Sequence, residues 1–264
     1  HTNDGGRTWL PRQTGLSTED IFSLVPDPRS ARTVYALTMD GLFKSTDMGL
    51  KWQSINTGFA QERPLALAIA PSNPSILYAS AGAGWVYRSE TQGERWLRAE
   101  GRIGQSPVVA LAVDPRNPYL VYAGASTGIY RSNTGGQTWT RLHELPVTCL
   151  AMDNDSGDLF AGDGRGGVWR GTGSGLNWER IGLEKMDIVT LTVLPRPANG
   201  KEPATILAGT GSQGVYISRN GGDTWWSLGG DIAPFVQAIA IHPAEPHDLL
   251  VATSNGLYVR PMLK

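Results

Sequence analysis

An all-β fold, a six-bladed β-propeller of four-stranded antiparallel blades, is what this 264-residue sequence predicts, on three observations. A short polar frame ending in tryptophan occurs six times. Each interval between frames holds strand-length apolar runs separated by turn residues. No stretch carries the 3.6-residue period of an amphipathic helix.

The first copy of the frame is Thr2-Asn3-Asp4-Gly5-Gly6-Arg7-Thr8-Trp9, and the second is Ser45-Thr46-Asp47-Met48-Gly49-Leu50-Lys51-Trp52. The third runs from Ser89 through Gly93 to Trp96, and the fourth from Ser132 through Gly136 to Trp139. The fifth, more worn, runs from Gly171 through Gly175 to Trp178, and the sixth from Ser218 through Gly222 to Trp225. All six keep the glycine and the tryptophan, at a spacing of about 40–45 residues, the period of a propeller blade.

Within each interval an apolar run comes first: Ile21 to Val25, Leu65 to Ala70, Val108 to Val113, Val147 to Met152, Ile188 to Leu194 and Val236 to Ile241. A turn rich in Asp, Asn and Pro leads to a second run, such as Leu120 to Ala123, and a glycine turn to a third, such as Gly128 to Arg131. The frame is then the turn into a fourth strand that starts at the Trp. Four short strands per repeat make one blade. The first run is apolar on both faces, which reads as the innermost and most crowded strand.

The ends of the chain set the blade count. Residues 236–260 supply three strands and then stop, while Thr2 to Pro11 supply a frame and a fourth strand with nothing before them. The expectation is one domain over 1–264, in which residues 1–12 complete the blade formed by 232–264 and remove an open sheet edge.

Composition excludes several classes. Lys+Arg is 23 against Asp+Glu 24, so the chain has no broad positive field for nucleic acid or anionic lipid. The single cysteine, Cys149, allows no intramolecular disulfide, and its apolar neighbours read as a buried strand. No apolar run approaches the ~20 residues of a membrane helix. The chain opens on His1 rather than methionine and reads as a mature or trimmed product.

The frame Ser/Thr-x-Asp-x-Gly-x-Thr-Trp resembles the Asp-box of BNR-repeat proteins over the whole chain. That group includes sialidases, sortilin-type receptors, xyloglucan-degrading propellers and the photosystem II stability/assembly factor family. The Pro-rich first turns followed by Tyr-Ala look more like the last three than like sialidases. In the box, a polar side chain at the third position accepts turn amides and the later glycine takes a positive φ. Asp4 and Asp47 match. Thr91, Thr134 and Asn220 imitate them, and Gly173 cannot. The resemblance implies that Asp4, Gly6, Trp9, Asp47, Gly49, Trp52, Gly93, Trp96, Gly136, Trp139, Gly175, Trp178, Gly222 and Trp225 are structural, on the side away from the functional face.

The opposite face carries the loops before each first strand and between the second and third. Candidate binding residues there are Asp20, Arg63, Trp85, His143, Glu144, Arg165, Asp187, Asp231 and Phe235. Sialidase chemistry needs three arginines, a Tyr–Glu pair and an acidic Asp. The innermost runs contain no Arg, and Arg102-Ile103-Gly104 is a poor substitute for the Arg-Ile-Pro signature of that family. A two-carboxylate glycosidase needs only a converging pair, for which Glu144, Asp187 and Asp231 are the candidates. The four histidines share no metal-ligand spacing, and the glycine runs at 162–167 and 209–214 join antiparallel strands with no helix to follow, so they read as β-turns rather than phosphate loops. No cofactor is expected. The favoured reading is a non-catalytic scaffold for a protein partner in an extracytoplasmic or membrane-associated complex. The alternative is a propeller that binds or hydrolyses carbohydrate, with Trp85 and Phe235 as stacking aromatics.

Overall fold

Six antiparallel sheets, with strands joined in sequence order, build a six-bladed β-propeller. The computed structural model describes residues 2, 8–18, 20–59, 62–196, 202–229, 234–241 and 248–261. Blade 1 holds β1 (Ile21–Asp27), β2 (Ser30–Thr38), β3 (Gly41–Ser45) and β4 (Gln53–Ser54). Blade 2 holds β5 (Pro64–Ile69), β6 (Leu77–Ala81), β7 (Trp85–Ser89) and β8 (Leu97–Arg102), and blade 3 holds β9 (Val108–Val113), β10 (Val121–Ala125), β11 (Gly128–Ser132) and β12 (Thr140–His143). Blade 4 holds β13 (Val147–Met152), β14 (Leu159–Asp163), β15 (Val168–Thr172) and β16 (Asn177–Gly182), and blade 5 holds β17 (Ile188–Val193), β18 (Ile206–Thr210), β19 (Val215–Ser218) and β20 (Trp226–Ser227). The sixth sheet contains β21 (Val236–Ile241), β22 (Asp248–Thr253) and β23 (Gly256–Pro261). The chain falls into two compact units, residues 1–123 with 130–140 and residues 124–129 with 141–264. Asp4 and Gly6, and much of the segment expected to complete the last blade, lie outside the described residues.

Burial differs from the expectation in one respect. The second strands, not the first, are the most enclosed: every position of β6, β10, β14 and β18 is buried, whereas β9, β13 and β17 alternate toward solvent. An innermost strand has the open centre of a propeller on one side, while the second strand has sheet on both edges and packing on both faces. Small residues in that strand let the neighbouring blade approach. A Cβ at Gly162 would meet Ile188 of blade 5 at 3.0 Å, and one at Gly209 would meet Val236 of the sixth sheet at 2.5 Å.

The repeated turn is held by two side-chain oxygens. The buried hydroxyl at its first position accepts the glycine amide four residues on: Gly49 to Ser45 at 2.8 Å, Gly93 to Ser89 at 3.0 Å, Gly136 to Ser132 at 2.8 Å and Gly222 to Ser218 at 2.8 Å. The third-position oxygen accepts a second amide: Lys51 to Asp47 at 2.9 Å, Arg95 to Thr91, Thr138 to Thr134 and Thr224 to Asn220 at 3.0 Å each. The turn glycines all take positive φ, from 76° at Gly175 to 102° at Gly222. The fifth turn has glycine at both acceptor positions, so the Leu176 amide bonds the Thr172 carbonyl instead, at 3.0 Å.

The Trp then ties one repeat to the one before. Trp52 Nε1 donates to the Arg12 carbonyl at 3.0 Å, Trp96 to Ile55 at 2.8 Å and Trp225 to Ile181 at 2.7 Å. Trp178 departs from this: its indole bonds Gly175 of its own turn at 2.7 Å. Trp139 Nε1 is buried with no acceptor.

In the second unit, buried Asp153 forms an ion pair with Arg196, whose Nη1 also donates to the Glu202 carbonyl at 2.7 Å. Burial opposes the Asp153 charge, but the Asp155 amide, the Arg196 guanidinium and the Ser156 hydroxyl outweigh it and hold its pKa below the ordinary 3.8. Asp158 is shifted the other way, upward, by burial.

Two outcomes are expected. Ser132→Ala leaves buried turn amides without an acceptor, a loss of about 1–3 kcal/mol, whereas Ser174→Gly relieves a non-glycine residue at φ 59° and raises the melting temperature. Thermal unfolding followed by circular dichroism reads both. Arg196→Met strands a buried carboxylate and lowers stability by about 3–5 kcal/mol at neutral pH. The folded Asp153 pKa lies below the unfolded one, so its contribution is complete above the unfolded value and is lost as pH falls through the folded value. The stability difference between wild type and Arg196→Met, measured in denaturant, therefore shrinks below about pH 4.

Candidate functional site

In four of the sheets the residue just before the first strand is placed by its own main chain. Its carbonyl accepts the amide at the exit of the second strand: Met39 to Asp20 at 3.1 Å, Gly164 to Pro146 at 2.6 Å, Gly211 to Asp187 at 3.0 Å and Ser254 to Phe235 at 3.3 Å. Asp20, Asp187 and Phe235 are thus equivalent positions of the repeat, on fixed strand ends, and Arg63 stands at the same place in sequence, just before β5.

In the first unit, Trp85 opens β7 opposite Arg102 of β8. Two guanidiniums lie over its indole, Arg98 at 4.3 Å and Arg102 at 5.2 Å. Arg102 is held further by the Ala83 carbonyl at 2.9 Å and Gln105 Oε1 at 2.8 Å. Arg63 lies 4.5 Å over the ring of Phe22. Each such stack contributes about 0.5–1 kcal/mol at an exposed site and fixes a flat, charged donor group in place. The Trp85 ring, expected as a stacking aromatic, carries arginine.

Blade 4 repeats the device with different residues. Arg180 lies 5.0 Å over Trp169 and 3.5 Å from buried Asp163, whose second oxygen accepts the Arg165 amide at 2.8 Å. Trp169 Nε1 also bonds Asp163, at 3.3 Å. His143 sits edge-on to Trp169 at 4.9 Å and 6.1 Å from Trp178. Asp163 fills a position that other blades give to Thr38, Thr210 and Thr253, whose hydroxyls bond the turn carbonyl beyond. This cluster of His143, Asp163, Trp169 and Arg180 brings three residues not singled out in the sequence to one that was. The signal was present only as an Asp in a column that otherwise holds Thr or Ala.

Two of the three expected acids have partners among the described residues. Glu144 is paired with Arg141 at 2.5 Å. Asp187 accepts the Ser212 hydroxyl at 2.9 Å, at the tip of the 210–214 turn. Asp231 lies outside the described residues. A Tyr–Glu pair does exist: Tyr87 donates to Glu62 at 2.8 Å. Tyr87 is 1% exposed, and burial and then Glu62 push its pKa up to about 12, so the pair supports the blade and offers no nucleophile. Cys149 is half-buried, and burial pushes its thiol up to about 11. Among the described residues no three His, Cys, Asp or Glu side chains gather as a metal site, and no helix is long and apolar enough to cross a membrane.

Comparison with known proteins establishes the fold alone. No family model matches the sequence, and a search of curated proteins finds no relative. The chain is similar in structure to an ancestral GH74 enzyme, with a TM-score of 0.74 and 19% identity over 90% of this chain and 39% of that one. It is similar to YCF48 bound to a D1 peptide, with a TM-score of 0.70 and 17% identity over 99% of this chain and 85% of that one. A third similar structure is the extracellular domain of the one-component system BT4673 from B. thetaiotaomicron, at 0.68 and 16% over 92% and 33%. The chain thus spans less than half of the enzyme it matches.

The thiol provides a direct check on this site description. Cys149 is expected to resist an aromatic disulfide reagent in the native protein at pH 8 and to react fully in denaturant. Fast native labelling, read by absorbance, would contradict a thiol whose ionisation is suppressed by burial.

Proposed function

We propose that this chain is an Asp-box repeat propeller that works as a non-catalytic binding and assembly module for a protein partner outside the cytoplasm. The observation that carries the reading is the contrast on the loop-bearing strand ends. Acids that could do chemistry are bound to structural partners, while Arg98, Arg102 and Arg180 rest on tryptophan faces as fixed donors. Such donors suit carboxylate and carbonyl groups of a polypeptide. The binding set is Asp20, Arg63, Trp85, His143, Glu144, Arg165, Asp187, Asp231 and Phe235, to which the geometry adds Arg102 and Arg180.

The doubly bonded turn geometry supports the Asp-box assignment, since Thr and Asn reproduce what Asp47 does. The peptide complex of YCF48 supports a protein partner, and the extracellular neighbour supports the location. The second reading, a glycan-active propeller, is favoured by the likeness to the GH74 enzyme and would use Glu144, Asp187 or Asp231.

Selection from a displayed peptide library and a screen of a glycan panel separate the two. We expect peptide binders whose affinity falls at least tenfold in Arg102→Ala or Arg180→Ala and weakens with added salt. Glycan turnover that vanishes in Asp187→Asn or Glu144→Gln would overturn the assembly reading.

A further inference from the structure

Several strand arginines have an acid partner. Arg88 lies 3.1 Å from Glu90, Arg141 2.5 Å from Glu144 and Arg170 2.5 Å from Glu179. Arg180 stands 3.5 Å from Asp163. The outer strand of blade 2 differs. Among the described residues, neither Arg98 nor Arg102 of β8 has a carboxylate within 4.0 Å.

A straight strand would keep these two side chains apart, since four residues span about 13 Å. The register shifts between them. Arg98 faces Tyr87 and Arg102 faces Trp85, so two residues of β7 lie against four of β8. The bulge that takes up the extra residues brings both guanidiniums onto one indole. Their central carbons lie 4.3 Å and 5.2 Å from the Trp85 ring centre.

The ring face attracts each guanidinium, but an uncharged indole neutralises neither. Two like charges on one ring repel, and an anion between them relieves that repulsion. Glu62, which accepts the Tyr87 hydroxyl at 2.8 Å, forms no ion pair with either arginine. Arg102 donates Nε to the Ala83 carbonyl and Nη2 to Gln105 Oε1, which leaves Nη1 for a ligand. Arg98, Arg102 and Gln105 are exposed. A Cβ at Gly104 would meet nothing within 4 Å, so the approach beside Arg102 is open.

We propose that Arg98 and Arg102, set on Trp85, bind a doubly charged phosphate group, either free phosphate or a phosphate monoester carried by a partner. A carboxylate or a sulfate ester brings a single negative charge and leaves one guanidinium unmatched. A phosphate monoester carries a charge of about −1.5 to −2 at neutral pH and three acceptor oxygens. The flat fork of arginine fits two of those oxygens at once. The site is built within one repeat, from β7, β8 and the loop after it. The inference rests on the proposed binding role of this face and names the group that is bound.

Calorimetric titration with inorganic phosphate and with three glycine–serine peptides tests it. The peptides differ only in a central residue, which is tyrosine, phosphotyrosine or sulfotyrosine. The phosphotyrosine peptide is expected to bind about tenfold or more tightly than its sulfated twin, and the plain peptide not at all. Arg98→Ala and Arg102→Ala are each expected to weaken phosphate binding by about tenfold or more. Arg102→Lys, which keeps the charge and loses the fork, replaces an alanine variant that melts below the wild type. Inorganic phosphate that binds as tightly as the phosphopeptide would assign the site to the free anion, and weaker binding assigns it to the ester. Equal affinity for the phosphorylated and sulfated peptides would overturn the proposal, as would phosphate binding that survives both alanine variants. A protein that binds no phosphate probe would overturn it too. Library-selected peptides that still lose affinity in Arg102→Ala would then show that the binding role holds without phosphate, and the lack of such peptides would sink the binding role itself.

Discussion

The repeated turn, and the indole bond that follows it, is the constraint on which the blades depend. Two outer strands, β4 and β20, are only two residues long. A ladder that short cannot hold a strand against solvent by itself. What holds these edges is the buried serine hydroxyl that fastens the turn, the third-position oxygen that fastens it again, and the Trp that bonds back to the previous repeat. The same bonds recur at Ser218, Asn220 and Trp225 around β20. Where glycine replaces both acceptors, as in the fifth copy, the turn closes on a main-chain carbonyl and Trp178 bonds its own turn.

Inside this frame the second strands do the packing. Alanines such as Ala79, Ala123, Ala161 and Ala208 are fully buried, and Gly124, Gly162 and Gly209 leave no room for even a methyl group. Close approach of blade to blade requires such small residues in the middle of each sheet. Large rings are enclosed too, Tyr78 in a second strand and Trp96 after the turn, and both keep hydrogen bonds, to the carbonyls of Pro118 and Ile55. A buried phenol or indole that found no such partner would be costly.

The loop-bearing strand ends use the same economy of parts for a different purpose. Their carbonyls are tied down across the blade, so the side chains they carry are set on rigid supports. Arginines laid on tryptophans would lose little further freedom on meeting a partner, as the proposed binding role requires. The fold itself is neutral on this point, since GH74 propellers and a peptide-bound YCF48 share it.

The repeat period, the four runs per repeat and the turn residues all follow from local chemistry, so the fold and its six sheets were legible in the one-dimensional pattern. The glycine and the third-position oxygen announce a turn wherever they stand. Partnership between distant side chains left no such trace. Glu62 and Tyr87 are separated by most of a blade, and Arg98, Arg102 and Trp85 meet only because β7 and β8 pair in a particular register. Trp85 read as a free platform and Asp187 as a free acid, because a sequence lists side chains without their neighbours. Local periodicity determined the architecture. Which polar groups are already satisfied was decided by the packing of sheets, a property of three-dimensional contact that no single segment of chain encodes.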